Sequence, residues 1–167
     1  MRAPLLPTSD RLAIYLTDHH AGATAGRELA RRAAGANAGT EVGRFLEGLL
    51  REIEEDRDEL ERIMERFGVG TDYPKVAAAW AGEKLGRLKL NGQLTGYSPL
   101  SRLLELEGLV VGVHGKLRLW SALRQIAPGE ERLSETELDR MIVRAESQLA
   151  GLQEHHSRAA EEALRQQ

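Results

Sequence analysis

Four long segments of this chain repeat apolar residues every three to four positions. An α-helix is the regular element that gathers such residues on one side. The first segment carries Leu12, Tyr15, Leu16, His19, Ala23, Gly26, Leu29, Ala30 and Ala33. The second carries Val42, Phe45, Leu46, Leu49, Ile53, Asp56, Leu60, Ile63 and Phe67, nearly a strict heptad with an aspartate inside it. The third holds Leu100, Leu103, Leu104, Val110, Val111, Leu117 and Trp120, and the fourth Leu138, Met141, Ile142, Ala145, Leu149, Leu152, His156, Ala159 and Ala163. Composition agrees: Ala, Leu, Glu and Arg dominate and aromatics are only 4%, which favours helix over strand.

The punctuation fits four helices. Ser9 or Asp10, Thr40, Ser98 (followed by Pro99) and Ser134 (with Glu137 three residues on) are helix-start signals. The GANAG stretch at 35–39, Gly68 with Gly70, and Ala127-Pro128-Gly129 are stops. Residues 1–9 read as a flexible arm, and 10–167 as one bundle domain, the expected count for 167 residues. Residues 71–98 link the second and third long helices and contain a shorter helix beginning at Pro74. So long a link suits the lengthwise crossover of a ferritin-like four-helix bundle better than the short loops of an up-down bundle.

Several function classes drop out. The chain has no cysteine, so disulfides, iron–sulfur clusters and thiolate zinc sites are excluded. A net charge of −3 gives no general attraction to nucleic acid. No window approaches 18 apolar residues, and the start MRAPLLPTSDRL lacks the apolar stretch of a signal peptide, so a cytoplasmic protein without a membrane partner is expected. Richness in Ala, Arg and Gly points to a GC-rich bacterial genome. No Gly-rich phosphate loop or nucleophile elbow is present, and Ser98 reads as a helix cap rather than a nucleophile.

The candidate chemistry lies in polar residues on or beside the apolar stripes: His19, Glu52, Asp56, Glu107, His114, Glu146, Gln148, His155 and His156. A buried charge must be paired or bound to a metal. With four helices side by side, His19, Asp56, His114 and Glu146 fall within roughly 7 Å along the axis, at 1.5 Å per residue. Glu107 and His155 form a second layer above them. One reading is a metal site for iron or manganese, since bundles of this kind use carboxylates and imidazoles from facing helices. Another is a structural network, His19 bonded to Asp56 and His114 to Glu146. In a third, the faces are off by one position and some of these residues are solvated. No Glu-x-x-His occurs, so the two-metal signature is absent. Lys84, Arg87, Lys89 and Ser98 form a separate candidate anion site at a helix N-terminus. Its alternative is a solvated basic helix beside an ordinary cap.

The runs YLTDHHAGATAGRELARR, EIEEDRDELERIMERFGV and EKLGRLKLNGQLTGYSPLSRLLELEGLVVGVHGKLRLW resemble an uncharacterised bacterial family of the ferritin-like group, over roughly residues 12–160. The resemblance implies the ferritin-like fold with its long crossover and carries no activity and no metal ligands. The expectation is a non-enzymatic bundle acting through its surface. A metal-binding protein or metal-dependent oxidoreductase is the alternative, and an anion binder at the crossover a minor one. Self-association, as a dimer, is expected through an outer apolar stripe that includes Trp80.

Overall fold

The computed structural model describes residues 8–71 and 96–165. They form four long helices: α1 (Thr8–Ala36), α2 (Glu41–Arg66), α3 (Pro99–Ile126) and α4 (Glu135–Leu164). A single 3-10 turn, Ala127–Gly129, follows α3. No strand occurs among the described residues. Helix α1 already runs at Thr8, so Ser9 and Asp10 lie in its first turn rather than ahead of it.

The other starts follow the chemistry of their caps. The Thr40 hydroxyl accepts from the Gly43 N–H at 3.0 Å, Ser98 from Ser101 at 3.1 Å, and Ser134 from Glu137 at 3.3 Å. Each satisfies one of the N–H groups that a helix start leaves open. Helix α2 stops where Gly68 takes a φ of 69° and the Val69 N–H reaches back to the Met64 carbonyl at 2.9 Å. The α1–α2 turn is tight enough to require glycine at 43: a Cβ there would lie 2.0 Å from the Asn37 carbonyl oxygen.

The helices sit at the corners of a square. α1 packs along α2 and also against α3, while α4 packs along α3 and only lightly against α2. Leucines from all four fill the centre, with Leu16, Leu46, Leu106 and Leu152 fully buried. Cross-links fix the directions. On α1 and α3, Arg32 bonds Glu105 and Leu29 abuts Gly108, so these helices are antiparallel. On α2 and α4, Glu41 meets Arg158, Glu55 meets Arg144, and Arg66 donates to the Arg132 carbonyl, again antiparallel. Helix α2 therefore ends beside the α3–α4 connection. Helix α3 begins beside the α1–α2 turn, where Arg102 donates to Asn37 Oδ1 at 2.7 Å. The two ends are a full helix length apart, roughly 40 Å at 1.5 Å per residue.

One face expected from sequence is corrected. Val111 is 68% exposed, and the buried line of α3 is Leu103, Leu106, Leu109, Val113, Trp120 and Leu123. Helix α3 is apolar on several sides, so periodicity alone left its inner face ambiguous.

Candidate functional site

Halfway along the bundle the apolar core is interrupted by a charged layer contributed by three helices. Asp56 occupies the position between Ile53 and Leu60 in the buried line of α2. Lys116 continues the three–four spacing of α3 between Val113 and Trp120, and Gln148 that of α4 between Ala145 and Leu152. Asp56 is 2% exposed and Gln148 3%. The Lys116 ammonium spans the core diagonally and donates to Asp56 Oδ2 and to Gln148 Oε1 at 2.5 Å. Gln148 passes the polarity outward, its Nε2 donating to Glu52 Oε2 at 2.8 Å. That bond fixes the amide so that its oxygen faces Lys116. On the other flank the Arg144 guanidinium lies 2.9 Å from Asp56 Oδ1 and 2.6 Å from Glu55. The Asp56–Arg144 approach is electrostatic, its angle too poor for a hydrogen bond at Oδ1.

Burial pushes the Lys116 ammonium below its ordinary pKa. The charge of Asp56 and its hydrogen bond oppose that shift without cancelling it, while Arg144 adds to it. Both contacts of Nζ are acceptors, so the geometry suits the protonated amine. Two grooves open along the lightly packed α2–α4 seam on either side of the layer. One, of about 370 Å³, is lined by Glu59, Glu137, Arg140, Met141 and Arg144. The other, of about 240 Å³, has Glu52 and Gln148 in its wall.

A second polar network, buried at Asn37 and Glu105 and exposed at Tyr97, closes the α1–α2 turn end. Asn37, 2% exposed, and Glu105, 5% exposed, are joined through the Tyr97 hydroxyl, which accepts from Asn37 Nδ2 at 2.7 Å and donates to Glu105 Oε2 at 2.9 Å. Arg32 holds the other Glu105 oxygen at 2.9 Å, and Arg102 bridges Asn37 to Glu162. Burial, with the Glu105 carboxylate beside it, pushes the Tyr97 hydroxyl up to about 12, against the opposing bond from Asn37. These side chains tie α1, α3 and α4 together.

The layer expected from sequence is assembled from different residues. Asp56 is buried as anticipated, but it faces Lys116 and Arg144 rather than His19. His19 is half-buried on α1, edge-on to Tyr15 with ring centroids 4.5 Å apart. Burial lowers its pKa, opposed by Asp18. His114 and Glu146 are exposed. Each sits two positions before the residue that enters the core, Lys116 and Gln148. Two positions shift the height by only about 3 Å but rotate the side chain by roughly 200°. The second layer does not form either: Glu107 is exposed and pairs with His156 at 3.3 Å, and His155 packs on Phe45.

Ser98 is the N-cap of α3, its hydroxyl within 3.0 Å of that of Ser101. Lys84, Arg87, Lys89 and Trp80 lie outside the described residues. Among the described residues no group of three or more His, Asp or Glu side chains is arranged to hold a metal ion. No described helix is long and apolar enough to cross a membrane. Sequence reasoning missed Lys116 because it searched the stripes for acids and histidines. The usable signal was a lysine in register with Leu109, Val113, Trp120 and Leu123 in a chain that otherwise relies on arginine, with four lysines among 23 cationic side chains.

Comparison with protein-family models, with curated proteins and with solved structures finds no match to this chain.

Proposed function

We propose that this chain is a ferritin-like bundle that acts through its surface, and that its core polar layer is structural rather than catalytic. The ferritin-like reading is supported by the helix ends: α2 finishes at one end of the bundle and α3 begins at the other, as a lengthwise crossover requires. The non-enzymatic reading rests on one observation, the Lys116 ammonium lodged between Asp56 and Gln148. In metal-carrying bundles the equivalent space collects carboxylates and imidazoles around a cation. Here the cationic charge is already part of the chain.

Iron or manganese does not fit this donor set. Its inner members are one carboxylate and one amide, both engaged by Lys116, and Arg144 supplies a further positive charge. An incoming divalent ion would meet two cations and too few hard oxygen ligands. The anion-binding alternative has only Ser98 among the described residues, and its hydroxyl already serves α3 as a cap.

The test is elemental analysis of untagged protein purified without chelator, followed by reconstitution with ferrous or manganous ion. The proposal predicts metal far below one ion per chain and an unchanged melting temperature, because an ion that does not bind the native state cannot stabilise it. Stoichiometric metal that disappears in Asp56→Ala and His114→Ala would reinstate the metalloprotein reading. Self-association belongs to the same proposal, and sedimentation showing a monomer at high concentration removes it.

A further inference from the structure

We infer that the core layer is a cation site which the chain fills with its own side chain, so that vacating Lys116 opens a site for an external primary alkylammonium ion. The inference rests on the reading that the native layer is a closed structural network.

Three features of the layer carry it. First, the acceptors converge from two helices, Asp56 Oδ2 from α2 and Gln148 Oε1 from α4, and both residues are more than nine-tenths buried. Second, neither acceptor can turn away freely. Gln148 is held in orientation by its hydrogen bond to Glu52, and the Arg144 guanidinium attracts the other oxygen of Asp56 electrostatically. Removing the ammonium therefore leaves two buried acceptors, Asp56 Oδ2 and Gln148 Oε1, without their donor, while Asp56 keeps Arg144 beside its other oxygen, and a buried acceptor left without a partner is unfavourable. Third, the occupant is a lysine, not the arginine used nearly everywhere else in the chain. A compact ammonium on a linear stem fits between two acceptors on opposite helices, whereas the planar fork of arginine suits a bidentate partner.

Truncating Lys116 to alanine removes Cγ, Cδ, Cε and Nζ, the heavy atoms of n-propylammonium. The vacated space keeps two oxygens for the nitrogen, and the neighbours of Lys116 along the inner line of α3, Val113 and Trp120, are buried and apolar. The ion should enter from the α2–α4 seam, where Gln148 and Glu52 border the 240 Å³ groove. A neutral molecule of the same shape gains the apolar contact without the charge, so the two contributions separate.

The experiment measures thermal melting of full-length Lys116→Ala against n-propylammonium chloride, with sodium chloride at equal concentration and n-propanol as controls. The inference predicts a rise of several degrees with the ammonium ion, at most a small fraction of it with propanol, and none in the unaltered protein. It also predicts loss of the rise in the Lys116→Ala/Asp56→Asn double variant. No rise, an equal rise with propanol, or a rise that survives Asp56→Asn would overturn it. If Lys116→Ala does not fold, the unaltered protein is read by nitrogen-15 NMR of its four lysines. One ammonium signal protected from solvent exchange, and shifted by Asp56→Asn, is expected; a neutral amine or no protected signal would overturn the inference. A failure of the structural-network reading would show separately, as stoichiometric metal in the unaltered protein.

Discussion

At the scale of single residues, the stability of the core depends on whether each buried charge keeps its partner. Exposed His114 and Glu146 touch nothing in the layer, so His114→Ala and Glu146→Ala should each change unfolding free energy by less than about 0.5 kcal/mol. A urea titration that finds a multi-kilocalorie loss for either would place them back in the core. Tyr97 gives a pH test. Its folded-state pKa, about 12, lies above the ordinary 10.0. The folded chain therefore holds this proton more tightly, and the resulting stabilisation is complete below pH 10 and lost as pH rises through about 12. Lys116 works in the opposite sense. Its pKa is lowered, so between that value and the ordinary 10.5 the unfolded chain holds more protons and this contribution grows with pH. Melting curves between pH 9 and 12 should accordingly fall less steeply for Tyr97→Phe than for the parent. An unchanged slope would mean that the hydroxyl is not held as described. The residue scale is also where sequence reading stopped short. Asp56 was legible because an acid in a leucine heptad is conspicuous. Lys116 was not, because helix α3 is apolar on several sides; Gln148 stood among the polar candidates but Glu146 was placed in the layer instead, because a shift of two positions exchanges an inward for an outward side chain while hardly changing its height.

At the scale of elements, the helix boundaries were the most legible part of the chain, since caps are chemical signals written into single residues. Thr40, Ser98 and Ser134 each accept the backbone N–H three residues on. Thr40→Ala should cost about 1 kcal/mol. Gly43→Ala should cost more, about 1–3 kcal/mol, because its Cβ would meet the Asn37 carbonyl at 2.0 Å and the backbone of the turn must move. Chemical denaturation of the two variants checks the order; a Gly43→Ala protein as stable as the parent would show that the α1–α2 turn is slacker than it looks. Which face each helix turns inward was less legible than where it starts. Facing is settled by neighbours, and α3 meets three kinds of them: the leucines of α1, the carboxylate of α2 and the amide of α4.

At the scale of the whole molecule, two polar networks divide the work of holding the helices in register. The Asn37–Tyr97–Glu105 cluster fixes one end, where the chain enters α3. The Lys116 layer joins the diagonal pair α2 and α3 and brings in α4. Buried ion pairs of this kind add little net stability compared with a well-packed apolar core, yet removing one partner is expensive because the other is left unpaired. The most direct measurement of the central claim is therefore a double-mutant cycle on Asp56 and Lys116, using Asp56→Leu, Lys116→Met and their combination in urea unfolding. Each single change should cost about 3–5 kcal/mol, Lys116→Met less than Asp56→Leu because Arg144 still faces Asp56, and the double variant should lose far less than the sum of the two, ending near the parent or more stable than it. Strictly additive losses would mean that Lys116 and Asp56 do not neutralise each other in the core, and the account of the layer as a self-contained ion network would be wrong.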